Sequence, residues 1–123
     1  MDSFKGVIIE ESLEDRSILK DPNLVIVGTE VEQMASQDQL EAKQWTMDTV
    51  VVSPEKVHVI AYKISKSLDQ SGHWYADFKN KLFHYVIFRD TIFCIERKNK
   101  EEYEKARHHG RLLGIPEGQL DFG

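Results

Sequence analysis

The chain holds a single cysteine, Cys94, among its 123 residues. One cysteine cannot close an intrachain disulfide, so nothing points to a secreted, disulfide-stapled scaffold. Long apolar runs are also missing: the longest are about four residues, where a membrane span needs about 20. The stretch Val7–Ile9 near the N-terminus is too short for the apolar core of a signal peptide. A cytoplasmic protein with no membrane partner is the expectation. Basic charge is scarce as well. The formal net charge is -5, which argues against a generic nucleic-acid binder, because such affinity rests on lysine and arginine neutralising phosphates.

Catalytic signatures are absent in the same way. Neither G-x-x-x-x-G-K nor G-x-G-x-x-G occurs, so no glycine-rich loop is built to cradle phosphates. There is no G-x-S-x-G, no H-x-x-x-H and no C-x-x-C. No cofactor is expected. The sequence shows no internal repeat, low-complexity tract or long linker. With 41% hydrophobic and 30% charged residues, residues 1–123 read as one ordinary globular domain with its own core.

What is present is a run of strand and helix signals. Gly6–Glu10 is a short β-type run, and Ser12 with Asp15 resembles a capping box opening a short helix to about Leu19. Leu24–Val31 reads as a strand with Gly28 as a bulge. Met34–Lys43 is a polar connection. Trp45–Val52 ends in a β-branched run suited to a strand buried on both faces. Ser53-Pro54 starts a helix, with Ser53 as the cap, and Val57, Ile60, Ala61, Ile64 and Leu68 form one stripe. Residues 74–95 then carry three strands in succession. Asn99 with Glu102 opens a last helix, Gly114 stops it, and Leu120 and Phe122 are apolar enough to dock. The order is β-α-β-β-α-β-β-β-α. It predicts an α+β fold with a mostly antiparallel sheet, helices on one face, and a ferredoxin-like split β-α-β core with added strands.

The three-strand block is the most informative part. Turns at Asn80-Lys81 and Arg89-Asp90 would pair Asp77 with His84, Val86 with Phe93 and Phe88 with Thr91. Trp74, Ala76, Phe78, Phe83, Tyr85, Ile87, Ile92 and Cys94 then share a drier face, expected beneath both helices. Tyr75, Asp77, His84, Val86, Phe88, Phe93 and Ile95 share the other. A contiguous apolar face needs a cover. The N-terminal segment, a second subunit or a small-molecule ligand would each serve.

On that second face Asp77 and His84 are the candidate catalytic pair, since a carboxylate beside an imidazole can fix its tautomer for acid–base chemistry. A plain cross-strand ion pair is the competing reading. Tyr75, Phe88 and Phe93 are the candidate ligand-binding aromatics. Base stacking on them has little support, because no RNP-type signature accompanies them. His108 and His109 are adjacent, so their side chains diverge by about 100°, and His58 and His73 are isolated. A metal site is therefore not expected. Cys94, on the drier face, is expected to be inert filler. The acidic run at Glu10, Glu11, Glu14 and Asp15 reads as a solvated helix start or a cation site.

The segments KGVIIEESL (Lys5–Leu13), QWT (Gln44–Thr46), WYADFKN (Trp74–Asn80), HYVIF (His84–Phe88) and LGIP (Leu113–Pro116) together resemble a family of small prokaryotic proteins with no assigned activity. The resemblance implies a free-standing cytoplasmic domain and transfers no chemistry. The functional expectation is a binding or interaction module that forms a homo-oligomer through its second sheet face. The alternative is a small enzyme using Asp77 and His84 on a small molecule.

Overall fold

The structure, a computed structural model, describes residues 2–33 and 44–122. The expected polar connection Met34–Lys43 lies outside the described residues. Six strands, β1 (Phe4–Ile9), β2 (Val25–Gln33), β3 (Gln44–Val52), β4 (Tyr75–Lys79), β5 (Phe83–Phe88) and β6 (Thr91–Glu96), form one sheet in the order β2-β3-β1-β4-β5-β6. Every neighbouring pair is antiparallel. The four strands β2-β3-β1-β4 have the order of a split β-α-β core, and the β5–β6 hairpin extends it. The α+β expectation holds.

The first crossover is not the expected α-helix. It is two 3-10 turns, Glu10–Ser12 and Arg16–Lys20. The Asp15 side chain accepts from the Ser17 amide, and the Ser12 hydroxyl donates to the Ile9 carbonyl instead of capping. Local side-chain bonds of this kind compete with a continuous helix. Helix α1 (Val57–Ser67) starts later than expected, after a turn in which the Lys56 amide donates to the Ser53 carbonyl, so Ser53 is not its cap. Helix α2 (Lys100–Leu112) begins as expected: Asn99 accepts from the Glu102 amide. It ends at Gly114, whose φ of +85° is the left-handed conformation that favours glycine.

One helix packs on each face of the sheet, which corrects the expectation that both helices share one. The stripe Val57, Ile60, Ala61, Ile64 and Leu68 of α1 packs on Phe4, Ile8, Val50, Ala76, Phe78, Tyr85 and Ile87. Each fully buried Val, Leu, Ile or Phe among these contributes about 1.5–3 kcal/mol. Helix α2 and the C-terminal segment pack on the opposite face, where Ala106, Ile115, Leu120 and Phe122 close over Val86, Phe88 and Ile95. The added hairpin presents apolar residues on both sides, and one helix cannot cover both. The chain itself thus supplies a cover over β5 and β6 that a second subunit was expected to provide.

Candidate functional site

The β5–β6 register is the expected one, with Phe88 opposite Thr91 and Val86 opposite Phe93. Asp90, at φ 62°, makes the tight turn. The β4–β5 register is shifted by two: Asp77 faces Val86 and His84 faces Lys79. Asn80 causes the shift. Its side-chain oxygen accepts from the Leu82 and Phe83 amides, and its own amide donates to the Phe83 carbonyl, which lengthens the turn. A shift of two preserves the faces. Asp77 and His84 therefore still meet, diagonally, with His84 Nε2 2.6 Å from Asp77 Oδ2.

Within the pair the carboxylate, not the imidazole, is the group open to solvent. His84 is 0% exposed, while the Asp77 side chain is 31% exposed. On the inner side His84 Nδ1 lies 2.9 Å from the Tyr103 hydroxyl of α2. A carboxylate only accepts, so Nε2 carries a proton toward Asp77. With the ring neutral, Nδ1 accepts from Tyr103. A three-residue chain runs from the core outward and ends at Asp77.

Asp77 lines a pocket of about 220 Å³ at the end of the sheet, together with Val7, Ile9, Trp45, Trp74 and Tyr75, and with His73 and Gln119 at its edge. Strand β1 makes it. Val7 pairs with Asp77 on one side, Ile9 pairs with Met47 on the other, and the chain thereby brings Trp45 of β3 beside Trp74. The two indoles meet edge to face, 5.7 Å apart at 63°. The Tyr75 hydroxyl donates to the Gln119 carbonyl at 2.6 Å, tying the C-terminal segment to the rim. Its pKa is pushed up to about 12, first by burial and then by the negative charges of Asp77 and Asp121. Gly6 permits the close β1–β4 approach: a Cβ there would run into the Asp77 carbonyl oxygen.

Of the expected site residues, Tyr75 and Asp77 reach this pocket. Phe88 and Phe93 do not. Phe88 is fully buried and Phe93 half-buried, packed edge to face against each other and in contact with His109 of α2. Cys94 shares the face of Tyr85 but is exposed rather than buried, because β6 is the sheet's edge. Tyr103, Trp45 and Trp74 were not expected at a site. The usable signal was that the only two tryptophans stand beside strand starts.

A second carboxyl cluster lies across the sheet. Asp48 is 1% exposed and accepts from the Thr29 hydroxyl at 2.6 Å, while its Oδ2 is buried without an amide or hydroxyl donor. Glu10 is the neighbour. A hydrogen bond with Asp48, then burial, then the charge of Asp48 push its pKa up to about 7 against a pull from Arg16. Burial alone would raise Glu11, but bonds from the Thr46 amide and hydroxyl outweigh it and hold that carboxyl below its ordinary range. Among the described residues no group of three or more His, Cys, Asp or Glu side chains could hold a metal ion, and no helix is long and apolar enough to cross a membrane.

No family model, curated protein or solved structure matches this chain.

Proposed function

We propose that the chain is a small-molecule binding module whose ligand enters the pocket between β1, β3 and β4 and meets Asp77 as its polar anchor. The observation that carries this reading is the Tyr103–His84–Asp77 chain, which ends on a partly exposed carboxylate in a mainly aromatic and aliphatic cavity. Concave apolar sites with a few fixed polar groups are the usual form of ligand sites. A carboxylate held from behind keeps one orientation, which suits recognition.

The same chain supports a second reading, acid–base catalysis. Asp77 would take a proton from the ligand, and His84 would be a positioning residue, since it is wholly buried and lies outside the pocket lining. Self-association through the second sheet face has less to act on than expected, because α2 and the C-terminal segment already cover β5 and β6. Among the described residues, its β1–β3–β2 half, where Val7 and Val25 are exposed, is left for such contact.

Native mass spectrometry of untagged protein, purified gently from its own cells, tests the binding reading. A reproducible small adduct that disappears in Trp45→Ala is the expected result. A clean unliganded mass in every preparation, or an adduct indifferent to Trp45→Ala, would sink it. A clean dimer would favour self-association.

A further inference from the structure

The pocket's chemistry limits what can fill it. An anion would meet the Asp77 carboxylate. A wholly apolar ligand would strip water from Asp77 and give no hydrogen bond in return, an unfavourable exchange for a carboxylate. Asp77 Oδ2 already accepts from His84, but a carboxylate has about four acceptor sites, so capacity is left for a donor on a ligand. The remaining walls are Val7, Ile9, Trp45, Trp74 and Tyr75, with His73 and Gln119 also lining the pocket. The edge-to-face indoles of Trp45 and Trp74 set two ring planes at a steep angle, with Tyr75 beside them. Ring faces attract cations within about 6 Å of their centroids. Size adds a limit: about 220 Å³ lies below the range of roughly 300–1,000 Å³ that holds drug-sized ligands.

From these features we infer that the ligand is a small organic ammonium ion: a protonated amine on a short branched alkyl body. The charge sits against Asp77 and the indole faces, and the alkyl part lies on Val7 and Ile9. This inference rests on the pocket being a ligand site, and it adds the ligand's chemical class.

The chain supplies its own reporter, since its two tryptophans both line the pocket. Intrinsic fluorescence is titrated with isopentylammonium, with the neutral isostere 3-methyl-1-butanol and with the anion 3-methylbutanoate. The expected result is saturable binding of the ammonium ion, about tenfold or more tighter than the alcohol, with the anion weakest. Asp77→Asn is expected to remove that preference while keeping the fold, because the Asn oxygen still accepts from His84 Nε2. Trp45→Leu, at a half-buried position, is the second variant and should weaken the ammonium ion more than the alcohol.

Equal affinity for the ammonium ion and the alcohol, or an undiminished preference in Asp77→Asn, would overturn the ammonium assignment and leave the ligand pocket standing. Silence toward all three probes would also overturn it. The pocket itself would then be judged separately, by the adduct in the native mass.

Discussion

Asp77 and Asp48 flank the same strand, opposite Val7 and Ile8 of β1, and they face opposite sides of the sheet. Both are carboxylates drawn out of water, and a withdrawn carboxylate needs donors. Asp77 has an imidazole N–H, itself backed by a tyrosine hydroxyl. Asp48 has one threonine hydroxyl, its second oxygen is buried without a hydrogen-bond partner, and its carboxyl neighbour Glu10 could donate only while it holds a proton. A nitrogen partner leaves the carboxylate charge available to the pocket. A carboxyl partner instead acts on its neighbour, and Glu10 holds its proton to a higher pH. One sheet thus carries two chemically different uses of aspartate on adjacent rows of side chains.

The sharpest way to break this contrast is to delete the donor on the Asp77 side. His84→Ala opens a cavity in a fully buried position and strips Asp77 and Tyr103 of their shared partner. A loss of about 3 kcal/mol in unfolding free energy is expected, measured by urea denaturation. Asp48→Asn, which keeps an acceptor for Thr29 and gains a donor for Glu10, should cost far less. A loss under about 1 kcal/mol for His84→Ala would mean that the imidazole does not hold Asp77 in place.

Smaller, but aimed at the same carboxylate, is Gly6→Ala. The added methyl meets the Asp77 backbone and the Phe78 ring, so β1 and β4 must separate. About 2 kcal/mol of destabilisation is expected, with the indole N–H resonances of Trp45 and Trp74 shifting as the pocket deforms. Gly28→Ala is the internal control. Nothing lies within 4 Å of a Cβ there, and a change within about 0.5 kcal/mol is expected. Equal effects at the two glycines would show that the β1–β4 approach does not set Asp77.

How much of this was legible in the sequence depends on how far apart the cooperating residues lie. The two faces of the β4–β5–β6 block could be read, because alternation is local and survives the two-residue shift that the Asn80 side chain imposes. The Asp77–His84 contact was legible for the same reason. Docking of Leu120 and Phe122 followed from their apolarity alone. What covers each face was not legible. The α1 stripe and the α2 stripe look alike in sequence, and only the sheet order decides which side each reaches. Tyr103 behind His84 depends on α2 crossing that face of β5, and Trp45 against Trp74 depends on β1 passing between β3 and β4, and neither has a local signature. The acidic run at Glu10 read as solvated because its partner, Asp48, is 38 positions away and on another strand.

The mildest perturbation tests the Asp48 side through pH. In the folded chain Glu10 holds its proton up to about pH 7, against an ordinary glutamate value of 4.5. Between those values the folded state binds one proton more than the unfolded state, so stability falls as pH rises. The contribution is fully present below about pH 4.5 and is lost on passing through about pH 7. Its size is about 1–2 kcal/mol, reduced from the full linkage value because the Glu10 side chain is partly open to solvent screening. Glu10→Gln carries a permanent N–H donor for Asp48, so the Glu10 contribution to the slope should vanish in that variant. His109 works in the opposite sense. Burial, then the charge of His108, hold it below its ordinary value, so it weakens the fold as pH falls, in both proteins alike. The informative quantity is therefore the difference between wild type and Glu10→Gln, followed by urea denaturation from about pH 5 to about pH 8. A difference that grows in favour of Glu10→Gln with rising pH fits a shared proton. A flat difference would place Glu10 in solvent, and would leave Asp48 with Thr29 as its sole donor.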